Sequence, residues 1–271
     1  MNLLLLFVFS GGAIALLWVA QTLLLRLHGA PQFGLLRLQQ APVTVRWAMK
    51  ALVQGVLLAI LVGFPMALGE NPLHYHAARL VPAHPERLLE LLIATTFVLL
   101  TGIAVEVAVG WVRLTRRYGR WTTLRKLAEC FLRPLPLAFV EEGIFRGIVL
   151  DQILRALPAS RVAATLGIAL SAAPFAGIHL IRRVKTYWSA VGLFAFGCLA
   201  GSAYLVGGKT YWLPVGLHAG GILAIQLHRP FVEYRGPTWL IGNRDYPITG
   251  LIGICCIFLL AAYVRMRFSA G

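Results

Sequence analysis

Three ionisable residues, Glu141, Glu142 and Arg146, fall within six positions of an otherwise apolar stretch. Charged side chains at membrane depth are costly, and those that persist face a protein interior or a wet cavity and mark function. On a helix, Glu142 and Arg146 are i,i+4 with the acid on the N-terminal side, the favourable order for an ion pair. Glu141 points about 100° away from Glu142. The arginine can therefore neutralise and orient Glu142 and leave Glu141 for another task. Gly143 and Gly147 keep the helix backbone accessible to neighbours. A structural ion pair between two helices and the proton-relay carboxylate of a transporter are the competing readings.

Two histidines lie further along. His179 closes the run Phe175-Ala-Gly-Ile-His179, sharing a helix face with Phe175 at i,i+4, and His218 lies in Leu217-His218-Ala219-Gly220. A lone histidine in an apolar helix is more often a satisfied interior residue. Two histidines with an unpaired carboxylate form a set that hydrolysis can use. The glutamate accepts a proton from water, and the imidazoles hold that water or donate to a developing oxyanion.

These residues need helices to position them. Of the 271 residues, 59% are hydrophobic and 13% charged, and the mean hydropathy is +0.76. A soluble domain carries about 25% charged residues. Eight segments are predicted to span a membrane: 3–25, 51–69, 88–111, 131–153, 161–181, 188–206, 211–227 and 248–264. The expected fold is all-α, a polytopic transmembrane bundle forming one membrane domain over 1–271, because a spanning segment must satisfy its own backbone hydrogen bonds. The first segment has no basic n-region and is read as a membrane helix, not a signal peptide. With a start near residue 131, Glu141 is expected about 15 Å into the fourth span. His179 is expected nearer the cytoplasmic end and His218 nearer the middle, so tilt or offset must bring the three together.

The net charge of +15 could point to nucleic acid, but the basic residues sit at helix ends and in short loops. Seventeen of the 25 Lys/Arg fall in loops 26–50, 112–133, 182–187 and 228–247. The positive-inside rule places these loops in the cytoplasm and both termini outside. The expected partners are the lipid bilayer and a membrane-associated peptide or protein, with no nucleic acid. Neither 112–130 nor 229–247 is expected to bury a core of its own. Gly197-x-x-x-Gly201 and Gly216-x-x-x-Gly220 mark close helix approaches in spans six and seven. The four cysteines show no disulfide framework. Glu106 reads as a single interior acid. His74 and His76, in a short exposed loop, are expected to be solvated.

The motifs resemble those of the CPBP intramembrane proteases, the CAAX prenyl protease and bacteriocin-processing (Abi) group. That pattern is E-E-x-x-x-R, F-x-x-x-H, then H-x-x-x-N or D, on successive membrane helices. Glu141, Glu142 and Arg146 match the first, Phe175 and His179 the second, and His218 begins the third. The resemblance covers roughly residues 130–228, the expected catalytic core. It implies a glutamate-dependent membrane endopeptidase, with Glu141 as general base, His179 on the water and His218 on the oxyanion. Glu142 and Arg146 would be the orienting pair. It also implies no cofactor; zinc held by Glu141, His179 and His218 is the alternative, although H-E-x-x-H is absent.

One position departs from the pattern. Residue 222 is isoleucine, and the only asparagines are Asn2, Asn71 and Asn243, none in a predicted span. Losing one oxyanion donor costs about 100–1000-fold in rate. An inactive homologue serving immunity or complex assembly is therefore a second reading, and a proton-coupled transporter a third. The arginine-rich, lysine-poor balance points to a bacterial cell membrane, where prenylated CAAX tails are not expected.

Overall fold

The computed structural model describes residues 2–31, 35–36, 41–183, 187–242 and 246–269, and for residues 2, 180–183 and 187 the backbone alone. Residues 184–186 of one basic loop, and Asn243 and Arg244, lie outside the described residues. The protein is a polytopic helical bundle. Its elements are α1 (Asn2–Leu27), α2 (Val43–Ala67), α3 (Pro72–Ala77), α4 (Pro85–Ala108), β1 (Val112–Leu114), α5 (Arg120–Leu132) and α6 (Pro134–Glu142). A π-helical segment, Gly143–Leu150, continues α6 into α7 (Asp151–Ala156). Then follow α8 (Arg161–Arg183), α9 (Tyr187–Val206), α10 (Trp212–His228), β2 (Val232–Tyr234), α11 (Thr238–Ile241) and α12 (Leu251–Phe268).

Among the described residues, six helices are long and apolar enough to cross a membrane: α1, α2, α4, α8, α9 and α12. The fourth and seventh expected spans are helical as well. One is the charged run from Pro134 to Ala156; the other, α10, has 17 residues. Side chains such as Phe7, Phe97 and Phe258 are exposed along the outer helices, as lipid-facing surfaces require.

The fourth helix starts later than its hydropathy predicts. Pro134 stands at its first turn, where a missing N–H costs nothing and the ring fits the helical φ. Glu141 is thus seven residues, about 10 Å, from the helix start. His179 lies four residues before the end of α8, about 6 Å, and His218 ten before the end of α10, about 15 Å. Glu141 therefore lies nearer the start of its helix than the sequence implied, at a distance approaching that of His179 from the end of α8.

Both small-residue motifs lie at helix contacts. A Cβ on Gly216 would lie 2.5 Å from Leu88 O, and one on Gly220 2.6 Å from Leu92 O, so α10 runs directly against the α4 backbone. A Cβ on Gly197 would meet Ala172 at 2.9 Å, and one on Gly201 would meet Ile168 at 3.2 Å, which seats α9 on α8. Gly220→Ala should destabilise the protein by about 1–3 kcal/mol or more, because backbone cannot yield as a flexible side chain can. Gly221→Ala is the control: its nearest neighbour would be Phe196 at 3.7 Å. Equal thermal midpoints for the two variants would refute this packing.

The two polar segments fold together. Neither has a core alone, but β1 pairs antiparallel with β2, Val112 opposite Tyr234 and Leu114 opposite Val232. Val112, Val232 and Ile241 then bury against Ile103 of α4. This ladder puts loops 109–119 and 229–237 on one face of the bundle.

At the other end, α3 ties four helices together. Tyr75 Oη donates to Gly147 O at 2.7 Å, and Arg79 pairs with Asp151 at 2.8 Å and donates to Tyr204 Oη at 3.2 Å. His76, expected in solvent, is half-buried, because α3 folds inward over the helix ends. Its Nε2 donates to Leu61 O at 2.8 Å, and Nδ1 accepts from Tyr211 Oη at 2.8 Å. Burial, helped by the Arg79 charge and opposed by the Leu61 hydrogen bond, holds the His76 imidazole below its ordinary value. A lowered value means that the unfolded chain binds the proton more readily. The stabilisation is complete above about pH 6.5 and is lost as pH falls towards the folded-state value. His76→Gln, which can still donate and accept, should flatten the acid side of the thermal-midpoint profile. An unchanged slope would exclude His76 as its source.

Candidate active site

The pair Glu142 and Arg146 spans the junction of α6 with the π-helical segment. Such segments recur at functional sites, where the extra residue per turn re-aims side chains. A Cβ on Gly143 would lie 2.6 Å from Leu61 Cδ1, and one on Gly147 would collide with Tyr211 Oη. The two glycines thus admit α2 and the start of α10 against this helix.

Arg146 is fully buried. It donates through Nη1 to Glu142 Oε1 at 2.9 Å and through Nη2 to Gly197 O of α9 at 2.9 Å. Its guanidinium lies 4.9 Å from the centre of the Phe175 ring. The i,i+4 pair read from the sequence is formed. The Gly197 carbonyl was not anticipated as its second partner. The signal was present in the small-residue motif, which brings the α9 backbone within reach.

Glu142 Oε1 is shared. Besides Arg146 it accepts from His218 Nδ1 at 2.6 Å. The second glutamate, its arginine and the third motif are therefore one connected unit. His218 Nε2 then faces Glu141 Oε2 at 3.5 Å, and His179 Nε2 faces the same oxygen at 3.8 Å. Both separations are too long for hydrogen bonds but short enough for one small group to touch all three. Glu141 Oε2 has no hydrogen-bond partner among the described residues, and Glu141 is buried. All six residues singled out in the sequence converge here.

The imidazoles are fixed from behind. His179 Nδ1 lies 2.8 Å from Phe175 O. A carbonyl only accepts, so Nδ1 carries hydrogen and Nε2 of the neutral ring is an acceptor. The Phe175 ring also lies against the His179 ring, centroids 4.6 Å apart and planes inclined at 46°. His218 is walled by Phe175 at 5.7 Å and Phe196 at 5.8 Å. Phe196, and Tyr246 6.1 Å from the His179 ring, were not legible beforehand, since an aromatic in an apolar helix carries no mark of what it faces.

Ile222, one turn after His218, is half-buried and packs against the apolar cluster of Ala138, Val215 and Ala219. It supplies no polar atom. Among the described residues, no group of three or more His, Cys, Asp or Glu is arranged to hold a metal ion.

The fold and this cluster define a class: an integral, multi-pass helical membrane protein with a buried glutamate, an arginine-paired second glutamate and two histidines at one site. Residues 121–221 match the family model described as Rce1-like, type II CAAX prenyl endopeptidase Rce1-like. That segment holds all six motif positions, so the CPBP resemblance is borne out over it. No curated protein and no solved structure matches the chain.

Proposed function

We propose that the protein is a CPBP-type intramembrane endopeptidase that hydrolyses a peptide bond of a membrane-associated or lipid-modified substrate. The observation that carries this reading is the approach of both imidazole Nε2 atoms to one otherwise unbonded Glu141 oxygen. Water held there gives one hydrogen bond to Glu141 and one to His179 Nε2. Glu141 takes the proton as the water oxygen bonds to the peptide carbonyl carbon. The carbonyl oxygen becomes an oxyanion facing His218, whose imidazolium form donates from Nε2 while Nδ1 remains bonded to Glu142. Collapse breaks the C–N bond, and protonated Glu141 returns its proton to the leaving amine. One amide and one water give one acid and one amine.

Ile222 favours a second reading, a homologue of the same fold that binds a partner and does not cleave. A prenylated C-a-a-X peptide and an unmodified apolar membrane peptide, each offered to vesicles containing the full chain, separate the two. New termini on either peptide, detected by mass spectrometry, support the enzyme, and both peptides intact at full binding support the homologue. We expect cleavage to persist in excess chelator. Cleavage lost to the chelator and restored by zinc would place a metal on Glu141, His179 and His218 instead. We further place the β1–β2 face, with its basic loops, on the cytoplasmic side of a bacterial cell membrane.

A further inference from the structure

Helix α5 precedes the helix carrying Glu141, separated from it by Arg133 alone. Thr123 and Cys130 turn inward and are buried, where α5 lies against α10 and α6. The opposite side is apolar and uncovered. Trp121 is 81% exposed, Leu124 47%, Phe131 71% and Leu132 75%. At 100° per residue these four fall within an arc of about 100°. Arg120 and Arg125, both exposed, flank that arc, and Arg125 and the more distant Arg133 pair with Glu129 at 3.9 and 3.1 Å. Just upstream of the helix, Arg113, Arg116 and Arg117 are exposed as well. Residues 112–133 hold seven Lys/Arg against a single acid, Glu129.

We propose that α5 lies in the membrane interface, its Trp121–Leu132 face immersed at the headgroup boundary and the arginines binding anionic lipid headgroups. Three features select a lipid surface as the occupant. The excess of positive charge is complementary to an anionic leaflet. A tryptophan and large apolar side chains bordered by cationic edges form the pattern of interfacial helices. The uncovered face also sits where the next helix begins, at Pro134, so it continues the outer, lipid-facing surface of the bundle. This surface stands whether or not Glu141 is a catalyst.

The test uses the full chain in vesicles of phosphatidylcholine alone or mixed with phosphatidylglycerol, comparing wild type with Trp121→Phe. The emission that Trp121→Phe removes is the Trp121 signal. Brominated lipid should quench that signal by about half or more, as for a ring seated about 5–10 Å into the boundary, and aqueous iodide should leave it nearly unchanged. Quenching should deepen with phosphatidylglycerol, and that increment should vanish when Arg113, Arg116, Arg117 and Arg120 are all replaced by glutamine. Quenching by iodide and not by bromine would show the face in water. Protection from both would show it covered by protein, a second copy included. Either result overturns the proposal. An unchanged increment in the glutamine variant overturns the headgroup role of the arginines.

Discussion

Glu141→Gln in the full chain, reconstituted in vesicles, is expected to lower peptide cleavage by about 10²–10⁴-fold with the bundle intact, the effect of removing a general base. The substitution is nearly isosteric. It changes a group whose Oε2 makes no hydrogen bond among the described residues, so the fold loses little. The amide can still touch the two imidazoles but cannot accept a proton from water. The loss should therefore fall on kcat, with KM little changed. His179→Gln should give a smaller loss, because its Nε2 positions water and does not remove the proton in this scheme. Undiminished turnover by Glu141→Gln would exclude Glu141 as the base. A wild-type protein that binds and never cuts would leave the non-cleaving homologue as the account, with Ile222 as its cause.

The sequence showed the helical bundle and the local pairs of the candidate site, and not how the helices bring those pairs together. Helical spacing gave the Glu142–Arg146 pair and the Phe175–His179 face, since both depend only on residues one turn apart. Spacing within one helix carries no information about a different helix. It could not show that Glu142 Oε1 would serve His218 as well as Arg146, or that Gly197 O would take the other arm of the guanidinium. Hydropathy found the long apolar helices and misplaced the ends where polarity and structure diverge. The helix carrying Glu141 begins at Pro134 for backbone reasons that hydropathy does not see. The sequence reads His76 as solvated because its neighbours are polar. It is half-buried because a six-residue helix folds back onto the ends of α2, α9 and α10. The β1–β2 ladder was invisible for a related reason: two short polar loops, far apart in the chain, each lack a core until they share one.

Arg146→Met tests whether the ion pair only holds the bundle together or also serves the chemistry. Methionine fills much of the volume and none of the charge. It leaves the Glu142 carboxylate buried with His218 as its remaining partner, and Gly197 O without its donor. Removing one member of a buried pair costs about 3–5 kcal/mol, so the variant should unfold far earlier than wild type in mixed micelles. Arg146→Lys should recover only part, since one ammonium cannot reproduce a planar fork reaching two acceptors on two helices. The double variant Glu142→Gln with Arg146→Met removes the stranded charge and should regain much of the lost stability, a coupling that a double-mutant cycle measures directly. Its glutamine can still accept from His218 Nδ1, so the ring keeps its place. A neutral amide cannot hold an imidazolium as a carboxylate does, and cleavage should stay depressed although the fold has returned. Recovery of stability together with full cleavage would reduce Glu142 and Arg146 to a structural brace. Recovery of stability alone makes Glu142 the residue that sets the charge and aim of His218, with Arg146 acting through it.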